Sequence, residues 1–202
     1  MKGRNHGHTP KARDVIAQEA AAIASIEVDD NYEKVVRLIL ACDSKVITTG
    51  IGKAGLIAKK MAATLSSTGS PAVFLHAAEA AHGDLGIVNS NDILIACSTS
   101  GKSREVIEIL ELARHLGVRH IVGITSHPDS ELRNHCEYVL NMGQPKEACH
   151  LNLAPTTTIA VMLAICDAIS VSVSEAKGFT RRDYGLRHHG GYLGRAARTD
   201  NN

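Results

Sequence analysis

The chain of 202 residues has few aromatic side chains, with two phenylalanines, four tyrosines and no tryptophan. Proteins that bind single-stranded nucleic acids stack the bases on such rings, so this class of function is disfavoured. The net charge is also small, because 22 lysines and arginines oppose 21 aspartates and glutamates, which leaves +1. A strongly basic surface for nucleic acid is therefore not expected. With 44% hydrophobic residues, the chain is instead expected to fold around a core.

Cysteine motifs for metal binding or redox chemistry are also absent. The five cysteines are Cys42, Cys97, Cys136, Cys149 and Cys166, an odd number with no C-x-x-C pair. We therefore expect reduced thiols in a cytoplasmic protein. Residues 1–11 are polar and have no apolar core, which predicts that no signal peptide is present. This composition favours a small polar ligand, with neither nucleic acid nor a membrane as a partner.

Short apolar segments alternate along the chain with residues spaced as in helices. Strands are predicted at residues 45–49, 71–76, 93–97, 120–125 and 137–141, with a loop at 77–91. Helices are predicted as a pair within 12–41 and then at 50–65, 103–117, 130–136 and 155–174. Strands that alternate with helices predict a parallel, doubly wound α/β sheet of five strands flanked by helices. Its ligands should bind beyond the carboxyl ends of the strands.

The segment 155–174 is almost entirely apolar or hydroxylated and is long enough to span a bilayer. Asp167 lies within it, however, where a carboxylate would be unfavourable in a membrane. We therefore expect a buried helix that packs on a neighbouring element or on a second subunit.

A cluster of hydroxyl residues follows the third predicted strand. Its members are Ser98, Thr99, Ser100 and Ser103, around Gly101. They lie where a buried strand passes into a helix, and the unpaired N–H groups and positive dipole end of a helix N-terminus favour an anion. We interpret this segment as a phosphate-binding loop. The alternative is an ordinary serine-rich loop in which Ser103 caps the helix.

The segment 50–55, GIGKAG, matches the dinucleotide fingerprint G-x-G-x-x-G after a predicted strand. That fingerprint also requires an acidic residue at the end of the second strand. Here the second strand ends at His76, and the nearest carboxylate, Glu79, lies beyond it. Lys53 lies inside the glycine motif, where its ammonium group suits a compact anion. We therefore expect a phosphorylated sugar rather than a dinucleotide, and a tight turn without a ligand is the alternative.

Seven motifs occur in a defined order along the chain. They are GIGKAG at 50–55, AATLSSTG at 62–69, EAAHGDLG at 79–86, STSG at 98–101, KEAC at 146–149, LAPT at 153–156 and HHGG at 188–191. Together they resemble the sugar isomerase (SIS) domain of the arabinose-5-phosphate isomerase family. The resemblance covers residues 12–195 and implies a flavodoxin-like three-layer sandwich. Residues 1–11 and 196–202 are expected to be flexible tails.

The resemblance implies an aldose–ketose isomerase that interconverts D-ribulose 5-phosphate and D-arabinose 5-phosphate through an enediol, without a required cofactor. This step leads to Kdo for lipopolysaccharide or capsule. Members of the family usually continue into a pair of CBS domains, and because this chain ends at Asn202 we expect that pair to be absent. We also expect a homotetramer or dimer, because the apolar helix and the late position of catalytic-type residues indicate that neighbouring subunits complete each site.

Position by position, the resemblance assigns the catalytic set Lys53, Glu105, Glu147 and His188 and the metal-binding histidine His76, for which zinc is the candidate metal. The residues that we expect to bind the substrate are Gly52, Ser98, Thr99, Ser100, Ser103, His82 and Thr156. The alternative for Thr156 is that it only caps the helix that follows. Departures from the family pattern are Lys102, Ala77, Ala78, Arg187 and His189. These departures bear on substrate preference more than on the reaction.

The isomerisation needs a base that moves a proton between two neighbouring carbons and an acid for ring opening. We assign proton transfer to Glu147 with His188, and stabilisation of the enediolate to Lys53. Glu105 is ambiguous, since a carboxylate in the first turn of a helix also complements the helix dipole. Taken singly, Glu147 and His188 would be interpreted as exposed loop residues.

Residues 76–84 contain two histidines, a glutamate and an aspartate, a set that could bind zinc. The spacing matches no closed zinc site, and the reaction does not require a Lewis acid. Histidines that contact substrate or are purely structural are the alternative. His6 and His8 are interpreted as tail residues.

Two other functions stay open from the sequence. A non-catalytic sugar-phosphate sensor could use the same phosphate loop, and an isomerase of the same fold could act on a hexulose or heptose phosphate. A sensor needs neither a base nor an acid, so the presence of Lys53, Glu147 and His188 favours an enzyme. The size of the pocket would separate the isomerases.

Overall fold

The computed structural model describes residues 9–199. Its centre is one sheet with strands β1 (Val46–Gly50), β2 (Ala72–His76), β3 (Ile93–Cys97), β4 (His120–Thr125) and β5 (Tyr138–Asn141). The strands are all parallel and lie in the order β2-β1-β3-β4-β5. This arrangement confirms the predicted doubly wound α/β sheet of five strands.

Helices precede, connect and follow the strands. They are α1 (Thr9–Ala24), α2 (Asp30–Leu40), α3 (Gly52–Ser67), α4 (Ala77–Ala80), α5 (Arg104–His115), α6 (Thr157–Ala176), α7 (Arg181–Arg187) and α8 (Gly191–Thr199). Two short 3-10 helices occupy Asp84–Ile87 and Glu131–His135. The predicted loop at 77–91 therefore contains a helical turn and a 3-10 helix, and the predicted helix at 130–136 has 3-10 geometry.

Both faces of the sheet are buried. Along β3, Ile93 and Ile95 point into the core that α2, α3 and α6 cover, whereas Leu94 and Ala96 point into the core beneath α5. Since successive strand residues point to opposite faces, a strand covered on both sides must be apolar throughout. This explains why β3 has no polar alternation.

The long apolar helix α6 packs against α1, α2 and α3, as predicted for a buried helix. By length and composition alone α6 could cross a membrane, but half of that stretch is buried inside the protein, which is typical of a core helix. Asp167 lies on its exposed side and forms an ion pair with Lys60 of α3. The carboxylate that disfavours a membrane-spanning helix thus links α6 to α3.

The C-terminal region contains more structure than the sequence analysis expected. Helix α7 begins with a capping box, in which the Asp183 N–H donates to Thr180 Oγ1 at 3.1 Å and the Thr180 N–H donates to Asp183 Oδ2 at 2.9 Å. Of the expected tails at 1–11 and 196–202, residues 9–11 lie in α1 and 196–199 in α8. Residues 1–8, with His6 and His8, and residues 200–202 lie outside the described part of the chain.

Candidate active site

A cavity of about 710 Å³ lies at the carboxyl edge of the sheet, where α3, α5 and α6 begin. Its lining residues are Ile51, Lys53, Ala54, Ser98, Thr99, Ser100, Ser103, His127, Glu147, Asn152, Leu153, Pro155, Thr158 and Ile159. Each helix N-terminus carries unpaired N–H groups and the positive end of a dipole. Convergence of helix N-termini on one cavity favours an anionic ligand.

The serine loop, residues 98–103, forms one wall of this cavity. Ser103 occupies the N-cap position of α5, but its hydroxyl makes no cap hydrogen bond and lies 3.1 Å from the hydroxyl of Ser98. The Ser103 side chain therefore does not cap α5, which was the alternative interpretation of this loop. Among the described residues, no side chain caps the first turn of α5.

Backbone contacts with β4 hold the serine loop in place. The Thr99 carbonyl accepts from the Ser126 N–H at 3.0 Å and from Thr125 Oγ1 at 3.1 Å. Gly101 has a φ of +62°, and a Cβ there would lie 1.8 Å from Ser130 Oγ. Only glycine fits this position without displacing its neighbour.

The glycine motif after β1 places Lys53 in the lining of the same cavity. A Cβ on Gly50 would lie 2.9 Å from the Cys97 carbonyl, a Cβ on Gly55 would lie 2.8 Å from the Gly50 carbonyl, and Gly52 has a φ of +60°. Close packing and a turn therefore explain these glycines without a dinucleotide. The side chain that they bring to the cavity is the ammonium of Lys53.

The carboxylate of Glu147 lies at the start of α6 and caps that helix. Its Oε2 accepts from the Thr156 N–H at 2.8 Å and from Thr156 Oγ1 at 3.1 Å, and its Oε1 accepts from Thr158 Oγ1. Partial burial raises the pKa of Glu147, but the hydrogen bonds from Thr158 and Thr156 outweigh it and hold the pKa below its usual range. Glu147 is thus ionised at neutral pH, as a general base must be.

The carboxylate loop, residues 147–156, is held by side-chain acceptors. The Ala148 N–H donates to Thr156 Oγ1 at 3.2 Å, and the Glu147 N–H donates to Asn152 Oδ1 at 2.7 Å. The Leu153 N–H also donates to Cys149 Sγ, at 3.2 Å, and lowers the pKa of that thiol. All five cysteines of the chain are free.

Several predicted site residues lie away from this cavity. Glu105 is exposed in the first turn of α5 and does not line it. His76 caps α4, because its Nδ1 accepts from the Ala78 N–H at 3.3 Å, and His82 is exposed on the following turn. Within residues 9–199, no three histidine, cysteine or acidic side chains lie close enough to bind one metal ion, so metal binding at His76 stays a prediction.

His188 lies at the other end of α6. It follows α7 and stacks on Tyr184, with ring centroids 3.8 Å apart. Tyr184 lines a separate cavity of about 350 Å³ with Thr68 and Ser174, which lie at the carboxyl ends of α3 and α6. Helix α6 has 20 residues and is about 30 Å long, so one chain does not bring His188 to Glu147.

Sequence reasoning missed three polar residues of the cavity. Thr158 donates a hydrogen bond to Glu147, whereas the preceding Thr157 is fully buried. Helical periodicity could have separated these two threonines once the start of α6 was known. His127 and Asn152 reach the cavity from loops, and no local pattern distinguishes them from ordinary loop residues.

Known families and proteins resemble this chain in sequence and fold. The family model described as the SIS domain matches residues 39–172. The chain is 46% identical over 171 residues to the arabinose 5-phosphate isomerase KdsD of Francisella tularensis subsp. tularensis, a match that covers 83% of this chain and 52% of that relative. The chain spans between 52% and 58% of the length of the curated relatives that it matches.

Two solved structures match over their full length. A Bacteroides fragilis protein, described as a candidate phosphosugar isomerase involved in capsule formation, has a TM-score of 0.89 and 43% identity, with 92% of this chain and 100% of that chain covered. An Escherichia coli CFT073 protein in complex with arabinose 5-phosphate has a TM-score of 0.87 and 33% identity, with the same coverage.

Proposed function

The chain belongs to the SIS domain family, and on that premise we propose that it is an arabinose 5-phosphate isomerase, which interconverts D-ribulose 5-phosphate and D-arabinose 5-phosphate. One observation carries the proposal: a single cavity is lined by the serine loop, the Lys53 ammonium and the ionised carboxylate of Glu147. The relatives named arabinose 5-phosphate isomerase and the neighbour in complex with arabinose 5-phosphate support this choice of sugar.

In this proposal the substrate phosphate binds at the serine loop and the N-terminus of α5. The open-chain sugar then extends across the cavity toward Lys53 and Glu147, which line it as well. A cavity of about 710 Å³ is within the range of small-molecule sites. The phosphate therefore anchors the substrate, and the reacting carbons lie near the carboxylate.

Glu147 removes the proton from C2 of the aldose, and the electron pair moves to the carbonyl oxygen at C1, which gives a cis-enediolate. The ammonium of Lys53 stabilises the negative charge on that oxygen. Glu147 returns the proton to C1, and a proton shifts between the two oxygens, which completes the ketose. The hydrogen bonds from the threonines keep the Glu147 carboxylate ionised and fix its orientation. Because they lower its pKa, they also make it a weaker base.

A second copy of the chain supplies His188 in this proposal, as the acid for ring opening. Leu153, which lines the cavity, is 75% exposed, and its neighbour Leu151 is 62% exposed. Leu186, two residues before His188, is 61% exposed as well. Large apolar side chains at both places are typical of an interface. We expect a homotetramer or dimer in the cytoplasm, with a product that supplies Kdo synthesis.

The test is to incubate the purified protein with D-arabinose 5-phosphate and, separately, with hexose and heptose phosphates, and to measure ketose formation. We expect turnover of the pentose phosphate alone, and its loss in Glu147→Gln. Turnover of a larger sugar phosphate instead would make the protein an isomerase of that substrate. Thermal stabilisation by sugar phosphates without turnover would make it a sensor.

The subunit arrangement has its own test. Glu147→Gln and His188→Ala are each expected to be inactive, and mixing them allows a site with Glu147 from one chain and His188 from another. Recovery of activity on mixing supports a shared site. Mixed oligomers that stay inactive would contradict it.

A further inference from the structure

Asn152 has a backbone conformation that side chains rarely adopt. Its φ of +52° is the one positive value among the non-glycine residues that the structure describes. Glycine would adopt this conformation without steric strain, and asparagine is one of the few other residues that tolerate it. An unfavourable backbone conformation in a site loop points to a use for the side chain.

The orientation of the Asn152 amide follows from its contact with Glu147. The Glu147 N–H is a donor, so the amide atom that it meets at 2.7 Å is the oxygen, Oδ1. The amide NH2 group is then turned away from the Glu147 backbone. Within residues 9–199 this Nδ2 donor has no hydrogen-bond partner.

Asn152 also lies between two cavities. It lines the cavity with Lys53 and the serine loop, and it lines a second cavity of about 730 Å³ under α1, which includes Gln18 and Lys146. Glu147 is the other residue that both cavities share. Asn152 therefore lies next to Glu147 in the lining of the cavity that a bound sugar would occupy.

We propose that Asn152 is a substrate-positioning residue with two roles. Its Oδ1 fixes the backbone of Glu147, and its Nδ2 donates a hydrogen bond to a hydroxyl or carbonyl oxygen of the open-chain sugar, next to the reacting carbons. This inference rests on the proposed function, since it assigns a sugar to the same cavity. Asn152 then contacts the sugar part of the substrate, whereas the serine loop contacts the phosphate.

The two roles are separable by substitution. Asn152→Gly keeps the backbone conformation and removes both hydrogen bonds. Asn152→Asp keeps an oxygen acceptor for the Glu147 N–H, tolerates positive φ and removes the NH2 donor. His150→Ala is the matched control, because His150 is exposed in the same loop and lines neither cavity.

The measurement compares the KM for D-arabinose 5-phosphate with the inhibition constant of inorganic phosphate. We expect both Asn152 variants to raise the KM about tenfold, because both lose the hydrogen bond from Nδ2 to the sugar. The inhibition constant of phosphate should stay within about twofold, because the serine loop is unchanged. Asn152→Asp should also move the acid limb of the pH–rate profile to higher pH, since a second carboxylate raises the pKa of Glu147.

Three results would overturn the inference: an unchanged KM in Asn152→Asp, a phosphate inhibition constant that rises in parallel with the KM, or the same losses in His150→Ala. If the wild type does not turn over the sugar, the proposed function fails separately. Calorimetric Kd values for D-arabinose 5-phosphate and phosphate then decide the role of Asn152. A selective tenfold loss of sugar affinity supports it, and equal losses contradict it.

Discussion

The two loops that border the cavity are held in place by different parts of the chain. The serine loop is tied down through its backbone, with the Thr99 carbonyl bound to the end of β4 and Gly101 packed against Ser130. The carboxylate loop is held mainly by side chains, with Glu147 bound to Thr156 and Thr158. A backbone-held loop should tolerate side-chain changes that a side-chain-held loop does not. In the proposed function, the serine loop is thus a rigid anchor for phosphate, and single side chains of the carboxylate loop set the chemistry.

The largest effect is expected at Glu147. Glu147→Gln preserves the size of the side chain and an acceptor for α6 but removes the base, so kcat should fall by about 10³-fold. The melting temperature should fall modestly at neutral pH, because the charged hydrogen bonds to α6 are lost, but the variant should stay folded. Steady-state kinetics with D-arabinose 5-phosphate and a thermal melt measure the two quantities. A variant that keeps a tenth of the activity would remove Glu147 from the role of base.

In the serine loop, a substitution that disturbs the backbone is expected to lower the free energy of unfolding. Gly101→Ala places a Cβ against Ser130 at a positive φ, and we expect a loss of about 2–3 kcal/mol in the free energy of unfolding. Gly143→Ala is the control, because Gly143 has a φ of +66° but no atom within 4 Å of an added Cβ. Strain alone should cost about 1 kcal/mol there. Urea unfolding measures both values, and equal losses would show that packing on Ser130 contributes nothing.

A smaller effect is expected from the hydrogen bond that Thr158 donates to Glu147. Thr158→Val removes this donor at nearly constant volume, which should cost about 1–2 kcal/mol of stability. The ionised carboxylate loses a donor, so the pKa of Glu147 should rise. The acid limb of the pH–rate profile, which marks protonation of the base, should therefore move to higher pH. A profile that stays in place or moves to lower pH would contradict the role of Thr158.

The same hydrogen bonds make stability depend on pH. The pKa of Glu147 is lowered in the folded state, so its contribution is present above the unfolded pKa of about 4.3 and is lost as the pH falls through the folded pKa. In Glu147→Gln this part of the acid loss should disappear. Unfolding titrations of both proteins between neutral and acid pH measure the difference, and identical pH dependence would contradict the lowered pKa.

The smallest effect on stability is expected at Ser103. Its hydroxyl does not cap α5, so Ser103→Ala should change the free energy of unfolding by less than about 0.5 kcal/mol. Affinity for inorganic phosphate should nevertheless fall about fivefold, because one donor to the anion is lost. Calorimetry measures the affinity. A loss of stability near 1 kcal/mol with unchanged phosphate binding would restore the capping interpretation.

Local sequence patterns predicted the part of the site that backbone contacts hold in place. Apolar runs marked the strands, and the position of Ser98 after β3 placed its loop at the carboxyl edge of the sheet. Lys53 followed from the same reasoning and lines the cavity. These inferences need only the chain direction and the geometry of a parallel sheet.

Residues held by tertiary contacts were beyond sequence reasoning. The partnership of Glu147 with Thr158 depends on how the carboxylate loop folds back on α6, and the position of Asn152 depends on that loop as well. His188 was predicted as part of the site, but its distance from Glu147 follows from the path of α6 and α7. The capping box that begins α7 at Thr180 was visible in the sequence and was missed because the region is rich in glycine and basic residues.

Hydrogen exchange with solvent tests the central claim most directly, namely that Glu147 moves a proton between neighbouring carbons of a pentose phosphate. The protein would be incubated with D-arabinose 5-phosphate in heavy water, and deuterium at C2 of the recovered sugar would be measured by NMR. We predict incorporation with the wild type and none with Glu147→Gln. Bound sugar phosphate that gains no deuterium and forms no ketose with the wild type would contradict the account.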